Sequence, residues 1–155
     1  MVALGVPRNQ EIPANSKQDW FDMGLCGPDR TDFAALAGYC GKFRTPSLRN
    51  VATRQAFFHN GVVHSLRDAV RFYAERDASP EKWYPRDSAG GLMKFDDLPA
   101  RYRGNIETDR PFGQTAGSQP ALNAHEIDDL VAFLGTLTDG YESKTQAKTP
   151  ALHVK

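Results

Sequence analysis

The chain has 155 residues, 40% of them hydrophobic and 25% charged, which is enough for one domain with its own core. Lys and Arg together number 19, as do Asp and Glu, so no net field draws nucleic acid or an anionic membrane. No apolar run approaches the ~20 residues that span a bilayer. Thirteen glycines and ten prolines stand among nine Phe, five Tyr and two Trp. They predict long, ordered, irregular connections between few regular elements, of the kind that wrap a site or a cofactor.

In chain order, the opening MVALGVPRNQ turns polar too soon for a signal peptide. Met1 to Asp19 reads as an irregular arm of extended backbone and turns, punctuated by Pro7 and Pro13. Trp20 to Leu25 is apolar enough to anchor to a core, and a loop bounded by Cys26 and Cys40 follows. Gly41 to Asn50 is expected to be extended, with Pro46 fixing one φ angle.

The first helix is predicted over Ser65 to Arg76. Ser65 is a good N-cap, Asp68 follows at the third helical position, and Leu66, Ala69, Val70 and Tyr73 make one apolar stripe. Asp77 to Gly91 is turn-rich, and Phe95 to Tyr102 suits a short helix interrupted or started by Pro99. The second strong helix is predicted over Ala124 to Thr138. Asn123 and Glu126 form a capping box, Ile127, Leu130, Val131, Leu134 and Leu137 form its apolar face, and Asp139-Gly140 ends it. This divides the chain into a domain portion, 1–141, and a flexible tail, 142–155.

Several residues could carry chemistry. Cys26 and Cys40 flank a short loop, which suits a disulfide in an oxidising compartment; two unpaired thiols are the alternative. A zinc site fits less well, because zinc takes four ligands in closely spaced pairs. His59, in Phe57-Phe58-His59-Asn60-Gly61, either fixes its turn or serves a metal, a cofactor edge or a proton path. His64, His125 and His153 read as residues at a helix approach, a solvated first turn and the tail. Tyr73 is core packing or a metal-ligating phenol. Arg44 and Arg49 suit a bidentate grip on carboxylates or ordinary salt bridges. Trp20, Trp83 and Tyr84 are packing residues that would also serve electron hopping beside a redox centre. Asp96-Asp97 and Asp128-Asp129 read as solvated charges at helix starts. Phosphate-binding Gly loops, GxSxG, HExxH and EF-hand patterns do not occur.

The runs GKFRTPSLRNVA, FFHNG, SLRDAVRFY and EIDDLVAFLGTLTDGY follow one another from Gly41 to Tyr141. In that order and rough spacing they resemble the C-terminal domain of the di-haem cytochrome c peroxidase family, which includes MauG. The likeness extends over most of Gly5 to Tyr141, and the LCGP and YCGKF segments resemble a branch with extra cysteines. The resemblance implies a mainly α, cytochrome c-like domain with long irregular loops, incomplete here. It implies haem c, a periplasmic setting, an electron-donor protein and peroxide-dependent electron transfer in the parent protein.

By the same resemblance Tyr73 occupies the distal-ligand position of the electron-transfer haem, where peroxidases place methionine and the MauG-like branch tyrosine. His59 matches the family's turn histidine, and Arg44 and Arg49 are implied contacts of the haem propionates. A calcium ion held by backbone carbonyls would fall near Arg54 and Ala56, where the family's proline is missing. No Cys-x-x-Cys-His occurs in the chain. The family's second copy of that motif belongs shortly before Gly5, and the peroxidatic domain belongs further upstream. The chain alone is therefore expected to turn over no peroxide. It is expected either to complete a haem pocket with a haem-bearing segment, or to act as a haem-free interaction module that pairs with a haem-bearing partner or with itself.

Overall fold

A computed structural model gives the fold and describes residues 1–140. The tail 142–155, with His153, and the final Tyr141 of the family-like run lie outside the described residues. Helix α1 spans Leu66–Glu75 and α2 spans Ala124–Gly135; six short 3-10 helices and long loops make up most of the rest. Loop therefore outweighs helix, a correction to the expected mainly α class. Pairing between extended segments is limited, among the described residues, to isolated bridges such as Val2 with Phe43 and Ala3 with Ile106.

Both predicted helices form on their predicted caps. The Ser65 hydroxyl accepts from the Asp68 N–H at 3.0 Å and donates to the Asp68 carboxylate at 2.7 Å. Asn123 and Glu126 complete a reciprocal capping box. α2 ends at Gly135 rather than near Thr138. Its last carbonyls are taken by the Thr136 and Thr138 hydroxyls, at 2.7 and 3.0 Å. Asn50 then binds the chain beyond the helix, accepting from Asp139 N–H at 3.0 Å and donating its own N–H to Leu137 at 3.1 Å. The helix expected over Phe95 to Tyr102 is instead a 3-10 helix over Ala100–Asn105, because Phe95 sits at φ 64°, outside helical space.

The two helices share a core with the segment that leads into α1. Val51, Phe57, Val63, Ala69, Val70, Ala74, Ile127 and Leu134 are buried there. Burial of these side chains supplies the main attraction between α1 and α2. A smaller cluster of Ala3, Leu98 and Ile106 holds the N-terminal arm, with Met23 and Phe95 packed on it. The arm thus buries Ala3, Val6, Pro7, Asn9 and Asn15. Its partner Phe43 exchanges hydrogen bonds with Val2 at 2.8 and 3.0 Å.

A buried ion pair ties these parts together. Arg76, 1% exposed, grips Asp77 through Nε and Nη2 at 3.1 and 2.6 Å and donates to the carbonyls of Leu4 and Glu107 at 2.9 and 2.8 Å. Asp77 also accepts from Lys94 Nζ at 2.7 Å and the Gly113 N–H at 2.9 Å. The Phe112 ring lies 3.8 Å from the guanidinium. With every charge partnered, the C-terminal end of α1 is pinned to the arm. Cys26 and Cys40 are bridged, with Cα atoms 5.1 Å apart. At Gly41, φ is +80° and an added Cβ would meet Leu98 Cδ1 at 2.5 Å, so only glycine fits. Among the described residues no helix is long and apolar enough to cross a membrane.

Candidate functional site

The apolar stripe of α1 does more than face a core. Leu66, Ala69, Val70 and Tyr73 form one wall of a cleft of about 610 Å³, within the range of cofactor-sized sites. The floor is core, with Val51, Phe57 and Leu134 buried. Leu130 of α2, and Leu48 and Pro46 of the Gly41 segment, form the remaining apolar sides. Leu130, Leu48 and Tyr73 stay exposed, so α2 turns part of its predicted core face towards this opening.

Tyr73 keeps 38% of its surface exposed. Its ring packs 5.4 Å from Phe112 and 6.1 Å from Phe58. Burial of the phenol holds its pKa above the ordinary tyrosine value. No hydrogen bond to this hydroxyl occurs among the described residues, so the phenol is a polar group on an apolar wall without a protein partner.

His59 also lines the cleft. Its imidazole stacks flat on Phe43, with centroids 3.7 Å apart and an interplanar angle of 10°. Its Nε2 lies 3.1 Å from Asp97 Oδ2, which also accepts from Asn60 Nδ2 at 2.9 Å. Asn60 in turn donates to Pro7 and accepts from the Val62 N–H, which closes the turn onto the N-terminal arm. His59 thus lines the cleft while its neighbour Asn60 fixes the turn.

The Asp96-Asp97 pair corrects the expectation of solvated charges: both residues are buried. Asp96 accepts from the Arg8 N–H at 2.9 Å. Burial first, and the neighbouring Asp97 charge second, hold the Asp96 carboxyl above the usual carboxylate range against that hydrogen bond. Asp128 is exposed and paired with Arg67 at 2.8 Å, and Asp129 pairs with His125 at 3.1 Å, as solvated helix-start charges should.

The two expected arginines separate. Arg44 lines the cleft, whereas Arg49 is absent from its walls and pairs with Asp139 at 3.4 Å on the exposed surface. The second arginine on the cleft is Arg54, whose Nη2 donates to the Ser47 carbonyl at 2.7 Å and so fixes the Gly41 segment. His64 contacts the Gln55 carbonyl and Glu11 at the surface. Trp83 meets the buried Phe72 edge-on at 5.3 Å, and Phe72 meets Tyr73 at 6.5 Å. Tyr84 is buried and donates to the Gly5 carbonyl. Trp20 offers its carbonyl to Arg8 at 2.7 Å. The Arg76–Asp77 pair and the place of the Arg54 side chain on the cleft went unread in the sequence, and Asp97 was read as a solvated charge. For Asp97 the available signal was Phe95 and Leu98 flanking two adjacent acids.

No protein-family model matches the chain. The methylamine utilization protein MauG of Paracoccus denitrificans is 31% identical over 153 residues, covering 88% of this chain and 33% of that protein. Two crystal structures of the diheme peroxidase BthA from Burkholderia thailandensis, one of them a point variant, share 44% identity and a TM-score of 0.78. They cover 90% of this chain, which spans 32% and 33% of theirs. The chain thus spans about a third of the length of the relatives it matches. The likeness in sequence and the likeness in fold agree, and the chain belongs to the MauG/di-haem cytochrome c peroxidase family.

Proposed function

We propose that the cleft is the distal half of the electron-transfer haem pocket of a peroxidase-like oxidoreductase, in which the Tyr73 phenol would hold the haem iron. The observation that carries this reading is the unpartnered phenol on the apolar wall of a largely apolar, cofactor-sized cleft. The residues fit the group. The floor of Val51, Phe57 and Leu134 suits the face of a tetrapyrrole, and the exposed Arg44 suits an acidic substituent. When bound, haem supplies a one-electron redox centre. To hold it, Tyr73 would have to give up its phenolic proton against the burial that favours the neutral form. The leucines and phenylalanines exclude water from the ligating side.

In the complete parent protein this domain would pass electrons from a donor protein towards the peroxide-reactive haem, where each hydrogen peroxide takes two electrons and two protons to give two waters. The Cys26–Cys40 bridge agrees with an oxidising, periplasmic setting. The experiment is a haemin titration of wild type and Tyr73→Phe, read in the Soret region. The reading expects a sharp band in wild type and an altered spectrum in the variant. Identical spectra would remove Tyr73 from the site.

A second reading is favoured by Leu48, Leu130 and Phe133, which are 52%, 36% and 57% exposed. Such a face suits a covering chain: a haem-bearing segment, a partner, or another copy. On that reading haemin alone gives no Soret band, and the chain binds only a haem-carrying polypeptide or itself.

A further inference from the structure

Tyr73 lines the cleft without a polar contact to aim it. Among the described residues its hydroxyl has no hydrogen-bond partner, and the residue is 38% exposed. A helical tyrosine chooses between χ1 values of about 180° and about −60°. Here only packing makes that choice. The rings of Phe112, Phe58 and Phe72 lie 5.4, 6.1 and 6.5 Å from its own. Phe72 is its neighbour on α1, so the two rings that come from outside the helix are Phe112 and Phe58.

Each of those two is itself held in an unusual way. Phe112 is buried, with the Arg76 guanidinium 3.8 Å from its ring centroid. The next residue, Gly113, donates its N–H to Asp77 at 2.9 Å. The buried ion pair thus grips this segment by a ring and by a peptide, at the end of the helix that carries Tyr73. Phe58 adopts a φ of +67°, in the left-handed region where glycine and asparagine are at home and an aromatic residue is uncommon. Glycine would make this turn without strain, but it would lack the ring that lines the cleft and packs 4.9 Å from Phe72. Strain kept at such a residue points to a task for its side chain.

We propose that Phe112 and Phe58 are positioning residues: together they clamp Tyr73 in one rotamer, with its phenol directed into the cleft before any occupant arrives, and the Arg76–Asp77 pair anchors the clamp. Its purpose rests on the haem reading, in which the phenol is the group to be aimed. A side chain already held in its bound rotamer loses no further freedom on binding. The two phenylalanines act through Tyr73 and need no contact of their own with the iron.

The first readout needs no haem. In isotope-labelled protein, the three-bond couplings from Tyr73 Cγ to its backbone nitrogen and carbonyl carbon report χ1. Wild type should show one large and one small coupling, and both should average towards intermediate values in Phe112→Leu and in Phe58→Leu. The methionine variants at the same positions serve if a leucine variant does not fold. Ile127→Ala is the control, because Ile127 is buried in the core and is not among the cleft walls. It should lose stability and keep the wild-type couplings. The second readout is a haemin titration. The two clamp variants should bind about two- to threefold more weakly, as expected when only one of the open rotamers is competent, and the control should bind as wild type does. Averaged couplings in wild type, unchanged couplings in either clamp variant, or equal averaging in Ile127→Ala overturn the clamp, whether or not haemin binds. Couplings that are fixed in wild type and average only in the clamp variants, with haemin bound by none of the proteins, support the clamp and overturn the haem reading instead.

Discussion

Asp77→Asn tests how the cleft is held in shape. Asp77 is 5% exposed and bound by Arg76, Lys94 and the Gly113 N–H. Burial pushes its carboxyl up, but those three partners together outweigh it and bring the pKa from 3.8 to about 2. A carboxyl depressed on folding contributes stability that is fully present above pH 3.8 and is lost as pH falls through about 2. At about 1.36 kcal/mol for each pH unit, that contribution is about 2 kcal/mol. The substitution also leaves Arg76, 1% exposed, without its counter-charge. Removing one partner of a buried pair costs about 3–5 kcal/mol. Urea unfolding of wild type and variant, followed by circular dichroism from pH 5 to pH 2, reads both effects. The variant should be less stable by about 3 kcal/mol or more at pH 5, and the acid-dependent fall in wild type should flatten in it. Parallel pH profiles, or a loss below about 1 kcal/mol at pH 5, would refute this account of the pin between α1 and the arm.

Three further outcomes follow from the local geometry. Replacing Cys26 and Cys40 by serine opens a loop with a sequence separation of 14 and should cost about 3 kcal/mol by loop entropy; thermal unfolding of the double variant against oxidised wild type measures it. Asn123→Ala removes the side-chain oxygen that accepts from the His125 and Glu126 N–H groups at the start of α2 and should cost about 1 kcal/mol, seen as a lower urea midpoint with unchanged slope. Gly41→Ala must accept both a left-handed φ and the Leu98 clash; a cost of about 2 kcal/mol or more is expected in the same assay.

The helices were legible because their signals are local. Ser65 and Asn123 announce caps within three residues, and the stripe of α1 has helical period. What the stripe faces was not legible, since periodicity reports an apolar side and not whether protein or an opening lies against it. Asp96 and Asp97 were misread for a related reason. Two adjacent acids look solvated until the His59 turn and the arm, 37 and 88 residues away, arrive as partners. Arg44 and Arg49 are alike in sequence, and only the path of the segment and the position of Asp139 send one to the cleft and the other to the surface. The buried Arg76–Asp77 pair lies just past α1, where charges ordinarily meet water, and its partners come from Leu4, Lys94, Glu107 and Gly113.

The central claim is that the Tyr73 phenol, through its oxygen, holds the occupant of this cleft. Resonance Raman spectroscopy of the haemin adduct, excited in a phenolate-to-iron charge-transfer band, tests it most directly. The account predicts phenolate ring modes in wild type that disappear in Tyr73→Phe, while the fold is retained. An adduct that forms without those modes in wild type, or that keeps them in the variant, would contradict it.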